Sequence, residues 1–147
     1  MKVFISADIE GTAGIASWDE TNKGHADYTY FSRQMTAEVK AAISGAMKAG
    51  ASEILIKDAH GSARNIDPSV LPDSVRIIRG WARDPFMMMQ GIDGSFDAVV
   101  FTGYHSPSGR GLNPLSHTMT GDIFSLKING ELVSEFLMNA MSAAYYK

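Results

Sequence analysis

Three apolar runs in this chain close on side chains that bind cations, and any fold it adopts must bring those closing residues to some common or separate place. The first run, Val3-Phe4-Ile5-Ser6-Ala7-Asp8-Ile9-Glu10-Gly11, ends in two carboxylates spaced two residues apart. If the run is a strand, its period of two sets Asp8 and Glu10 on the same side. The same grammar returns in Ile54-Leu55-Ile56-Lys57-Asp58-Ala59-His60 and in Val99-Val100-Phe101-Thr102-Gly103-Tyr104-His105. Parallel strands of an open α/β sheet deliver their C-terminal ends to one edge, where ligands bind. The pattern therefore selects an α/β fold with a mostly parallel central sheet and flanking helices, and predicts a metal site assembled from strand ends.

The connecting chain agrees with that order. Across residues 30–49, Phe31, Met35, Val39, Ile43 and Met47 recur every fourth position, the mark of an amphipathic helix, and Gly50 stands where a helix would end on a left-handed glycine. Residues 53–57 then form the second strand, so strand, helix and strand make a right-handed parallel crossover. Residues 75–78 and 97–102 read as two more strands. Asp84-Pro85 is expected to start a short helix through Met89, with Asp84 as its N-cap, and the Met87-Met88-Met89 triplet reads as packing material. Asn129-Gly130, between residues 124–128 and 131–133, predicts a C-terminal β-hairpin with a type I′ turn. Ser134 would cap a final helix that carries Glu135 in its first turn and Asn139 one turn further along the same face.

Several function classes drop out. The formal net charge is -3 with a pI near 5.7, and lysines and arginines are scattered, which argues against nucleic acid. With no cysteine there is neither disulfide, thiolate ligand nor cysteine nucleophile, and a cytoplasmic location is expected. The first residues enter a strand directly, so no signal peptide is expected, and no apolar run reaches the roughly 18 residues of a membrane span. A phosphate cradle at Gly11-Thr12-Ala13-Gly14 is a weak reading because the Gly-Lys-Ser/Thr ending of a P-loop is missing, and no Gly-x-Ser-x-Gly elbow supports a serine hydrolase. At 147 residues the chain suits a single domain, 1–147. The last helix stops at Tyr145-Tyr146-Lys147 without a cap or partner element, so the chain reads as cut rather than finished.

Asp8, Glu10, His60, His105 and Glu135 supply three carboxylates and two imidazoles. That is too many for one closed tetrahedral zinc and about right for two divalent ions sharing a bridging carboxylate. Without sulfur the set admits zinc, manganese, iron or cobalt, with zinc favoured for hydrolysis. His117 lies just beyond the long 103–114 loop. Held over the metals it would pass a proton to a leaving amine, imidazole being the side chain that titrates near neutrality; as a histidine bonded to a loop carbonyl it would be purely structural. The two readings weigh equally on pattern alone. His25, in the polar 17–29 segment with Trp18, reads as a surface residue at the rim of the crevice.

Asp8-Ile9-Glu10-Gly11, Asp58-Ala59-His60, Gly103-Tyr104-His105, Ser116-His117-Thr118-Met119 and the Asn129-Gly130 hairpin leading to Glu135 and Asn139, in this order, resemble the D-aminopeptidase DppA family of zinc metallopeptidases, peptidase family M55. The resemblance implies an α/β fold, a dinuclear zinc centre (two Zn2+ per chain) whose ligands match Asp8, Glu10, His60, His105 and Glu135, and a catalytic histidine at His117. It also implies removal of an N-terminal D-amino acid such as D-Ala from short peptides, inside a ring-shaped homo-oligomer. Family members continue well beyond the last helix here, so residues 1–147 would be the N-terminal part of a longer fold. Asn139 and Asp58 are candidates to support the ligands. Two rivals stay open: a two-metal phosphoesterase, and a noncatalytic metal- or ligand-binding module.

Overall fold

A computed structural model describes residues 1–111 and 113–146. Strands β1 (Lys2–Ala7), β2 (Glu53–Asp58), β3 (Val75–Ile78) and β4 (Ala98–Thr102) form one wholly parallel sheet in the order β3-β2-β1-β4. The apolar runs of β1, β2 and β4 suit burial within a parallel sheet, while β3, at one edge, carries the exposed Arg76. On one face Val3, Ile5, Ile54 and Ile56 pack with Met35, Val39 and Ile43 of helix α1 (Tyr28–Lys48). On the other, Phe4 and Leu55 meet Met89, Ile92 and Phe96. Each fully buried aliphatic side chain contributes about 1.5–3 kcal/mol.

Helix α1 begins two residues before its expected start, and its predicted stripe is buried only in the middle: Met47 is 37% exposed. Spacing of four overshoots a helical turn by about 40° per step, so a strict every-fourth stripe winds off the sheet. The helix ends as expected at Gly50, which has φ +94 while its N–H and that of Ala51 donate to the carbonyls of Met47 and Ala46.

Two expectations need correction. No helix spans residues 84–89. Asp84 Oδ1 accepts from the Phe86 N–H at 2.8 Å, Met87 has φ +46, and only a single 3₁₀ turn forms at Met87–Met89. The aspartate closes a turn on its own backbone, the competing use of an N-capping side chain. The hairpin is also shorter than expected, with β5 (Lys127–Ile128) and β6 (Glu131–Leu132) on either side of Asn129 (φ +53) and Gly130 (φ +87). Phe124, 89% exposed, has no sheet face to pack on and lies outside the ladder. Helix α2 (Glu135–Tyr145) starts where Ser134 Oγ accepts from the Leu137 N–H. Lys147, where that helix was expected to stop, lies outside the described residues.

The sheet order sets the site. From β1 the chain moves outward to β2 and β3, then returns to the other side of β1 for β4, so the strand ends diverge between β1 and β4. There the Gly11 N–H donates to the Gly103 carbonyl at 2.7 Å. A Cβ at Gly11 would stand 2.1 Å from the Tyr104 carbonyl oxygen, and one at Gly103 (φ +66) would stand 2.2 Å from that of Asp8. Glycine at both positions lets the Asp8 and His105 segments touch.

Candidate metal centre

Asp8 follows β1, His60 follows β2, His105 follows β4, and Glu135 opens α2; their side chains converge beyond the sheet edge. The two Asp8 carboxylate oxygens face opposite ways. Oδ1 lies 3.5 Å from His60 Nδ1, which is 2.8 Å from Glu10 Oε2. Oδ2 lies 3.5 Å from His105 Nε2, itself 3.5 Å from Glu135 Oε1. Donors about 2.1 Å from a shared zinc at tetrahedral angles would sit ~3.4 Å apart. The two groups, Asp8 with Glu10 and His60 and Asp8 with His105 and Glu135, thus resemble two cation sites joined by one carboxylate.

Fit to a cation is tested by what the protein leaves unpaired. Asp8 Oδ2 and His105 Nε2, 3.5 Å apart, are buried without a hydrogen-bond partner. Native proteins rarely leave buried polar atoms so, and here the two face one another. A set of carboxylates and imidazoles with free lone pairs suits zinc.

Electrostatics point the same way. Burial pushes the Asp8 carboxyl well above the usual range and the charges of Glu10 and Glu135 add to this, while a hydrogen bond with His60 opposes it. Glu10 suffers the same burial, yet hydrogen bonds with His60 and Asp8 and the charges of His60 and His105 bring it down to about 2. Burial would lower both imidazoles, but carboxylate neighbours win: Asp8 and Glu10 raise His60 to about 10, and Glu135 and Asp8 raise His105 to about 9. Protons here stand in for cations.

The far nitrogen of each imidazole is anchored on backbone. His60 Nε2 is 3.0 Å from the Thr21 carbonyl, His105 Nδ1 3.0 Å from that of Ser106, and His117 Nδ1 2.8 Å from that of Leu115. Such contacts fix the ring and leave the inward nitrogen free as a donor to a cation. His117 does more than the loop-bonded reading allows. Its ring stacks on His105 at 4.0 Å, Trp18 meets it edge-on at 5.0 Å, and Nε2 reaches within 3.5 Å of Glu10 Oε1 and 3.6 Å of Glu135 Oε1. With Glu10 and His105 it forms a third group of donors.

The supporting roles expected of Asp58 and Asn139 are corrected. Asp58 accepts from the backbone N–H groups of Asn65 and Ile66 and from Asn65 Nδ2, and the same amide donates to the His60 carbonyl. It shapes the His60 loop instead of the ring. Asn139 donates to the Tyr104 hydroxyl at 3.0 Å and to Met88 Sδ at 3.3 Å, fastening α2 to the β4 end. His25 is exposed and pairs with Asp19 at 3.2 Å, as a rim residue would. Sequence reasoning missed the anchoring carbonyls, which have no side-chain signature. It also missed Asn65, and Thr118, which is wholly buried and ties Ser108 to Val133.

Comparison with known proteins follows the same line. The Peptidase_M55 family model, described as D-aminopeptidase, matches residues 1–147. The chain is 32% identical over 148 residues to a D-aminopeptidase of Bacillus subtilis (strain 168), covering 99% of this chain and 53% of that protein. It superposes with a TM-score of 0.89, at 32% identity, on a solved structure described as Zn-dependent D-aminopeptidase DppA from Bacillus subtilis, a self-compartmentalizing protease. That match again covers 99% of this chain and 53% of the other, so the chain spans about half the length of the relatives it matches.

Proposed function

This chain belongs to the D-aminopeptidase family Peptidase_M55, and on that premise we propose that it hydrolyses N-terminal D-amino acids, such as D-Ala, from short peptides with the help of zinc. The observation that carries the reading is the pair of donor groups sharing Asp8, with buried lone pairs left for cations. Asp8 with Glu10 and His60, and Asp8 with His105 and Glu135, would hold two zinc ions. Zinc, when bound, supplies Lewis acidity toward the peptide carbonyl and toward water. His117, held by the Leu115 carbonyl and stacked on His105, presents Nε2 to the cavity and would donate its proton to the leaving amine.

Residues 1–147 would form a single domain carrying this whole centre, the N-terminal part of a longer family fold. The related structure is described as self-compartmentalizing, which supports a homo-oligomer, ring-shaped as in the family. Among the described residues no helix is long and apolar enough to cross a membrane.

The test is turnover of D-Ala-D-Ala and its L-Ala-L-Ala counterpart by zinc-loaded protein, beside a phosphate ester. Cleavage of the D-dipeptide alone supports the proposal; cleavage of the ester alone would replace it with a phosphoesterase, and bound zinc without any turnover with a binding module. His117→Ala should keep about two zinc ions by elemental analysis and lose about 10²–10⁴-fold in kcat. Loss of zinc together with turnover would make His117 a ligand.

A further inference from the structure

A cavity of about 240 Å³ opens over the metal centre, below the ~300–1,000 Å³ of drug-sized sites, and so suits one small residue better than an extended chain. Its floor is the donor set; its wall is Trp81 with Met87 and Met119, which are 43%, 47% and 36% exposed. These are large apolar surfaces kept open beside a polar floor. Trp81 is also fixed at two points. Its Nε1 donates to the Gly61 carbonyl at 2.6 Å, and its ring lies 4.1 Å from the Lys57 ammonium.

Lys57 is the unusual member. It is a wholly buried lysine on β2, donating to the Gly80 carbonyl at 2.5 Å; Trp81, whose ring meets its ammonium, lines the cavity, and Lys57 does not. A cation buried on an aromatic face is held by the ring quadrupole. The same ring hides that cation from anything bound beyond it.

We propose that Trp81 is the specificity-determining wall of this site: it receives the neutral, apolar side chain of the substrate's first residue and screens Lys57, so that acidic side chains are refused. The inference rests on the aminopeptidase reading above. An acidic side chain placed against indole and thioether would lose its water with no partner in return, whereas an apolar one gains by contact, and methionine adapts to its shape.

The test uses three first residues of nearly equal size, in D-Leu-D-Ala, D-Asn-D-Ala and D-Asp-D-Ala, with zinc-loaded protein. The unmodified chain should prefer D-Leu over D-Asp by about 100-fold in kcat/KM. Trp81→Ala should lower D-Leu turnover about tenfold and raise that of D-Asp about tenfold, because the ammonium is uncovered. Trp81→Phe should restore the original order, and Lys57→Met added to Trp81→Ala should abolish the gain for D-Asp. A uniform fall for all three substrates in Trp81→Ala would reduce Trp81 to a structural residue and overturn the proposal. Binding gives a readout independent of turnover. The chain has two tryptophans, so in zinc-loaded Trp18→Phe the emission comes from Trp81 alone. D-Leucine should change that emission saturably, and D-aspartate should need about tenfold more. Equal responses would overturn the subsite even if no peptide is cleaved, while selective binding without cleavage would keep the subsite and discard the peptidase.

Discussion

Asp8 and Glu10 stand two residues apart and share one buried environment, yet their carboxyls move in opposite directions, Asp8 upward and Glu10 down to about 2. Buried this close together, Asp8 and Glu10 favour positive charge or a proton between them, so the metal-free site keeps protons on His60 and His105 and favours one on Asp8. The signs follow from linkage. The Glu10 stabilisation is present above its ordinary value of 4.5 and is lost as pH falls through about 2. That of His60 and His105 is present below 6.5 and is lost as pH rises through about 10 and about 9. Asp8 has the opposite sign to Glu10: its cost sets in above 3.8 and grows as pH rises toward its raised value, so it adds to the loss of stability with rising pH. Metal-free protein should therefore lose Tm steadily from about pH 6.5 to pH 10. Zinc needs the deprotonated imidazoles, so its Tm increment should grow over that same interval. Calorimetry with and without chelator measures both, and an increment that stays level with pH would remove His60 and His105 from the ligand set.

Elements become a site here through the crossing of two strand exits. Gly103 has φ +66 and no room for a Cβ beside the Asp8 carbonyl. Gly103→Ala should cost about 2–4 kcal/mol in denaturant unfolding and weaken zinc binding, because relief of the clash moves Asp8 from His105. Gly121→Ala, where a Cβ meets nothing within 4 Å, serves as the control and should change stability by under about 0.5 kcal/mol. Three of the four strands were legible because continuous apolar runs ending in polar residues admit few other arrangements, and Asn129-Gly130 named its own turn. The 84–89 segment misled because an aspartate before proline serves a turn as well as a helix start, and only tertiary packing of Met88 and Met89 decides between them. The ligand positions were legible as strand ends. What holds the rings was not, since carbonyls of Thr21, Ser106 and Leu115 act through backbone that every residue has.

Across the whole molecule the metal centre joins parts of unequal strength. The sheet is paired strand to strand and packed on both faces. Helix α2 is held more lightly, by the Met87–Met89 turn, by Ala143 against the second core, and by Asn139 on Tyr104, and it leaves Phe136, Met141 and Tyr145 exposed. Glu135, at its first turn, accepts the Met119 N–H at 2.7 Å and faces His105 and His117. Zinc on this carboxylate would therefore pin α2, the loop carrying His117 and the short hairpin to the rigid sheet. Ligand binding at 1,000 times Kd stabilises by about 4 kcal/mol, and that gain belongs first to the parts that open most easily. Hydrogen exchange read by mass spectrometry should accordingly show, on chelation, faster exchange in α2, residues 115–119 and residues 124–134, with β1, β2 and β4 nearly unchanged. Glu135→Gln in the presence of zinc should reproduce much of that pattern while keeping the Met119 contact, since the amide oxygen still accepts. If chelation instead loosened the sheet and α2 alike, the centre would be part of the core's own stability, and the picture of a fixed sheet clamping a lighter cap would fail.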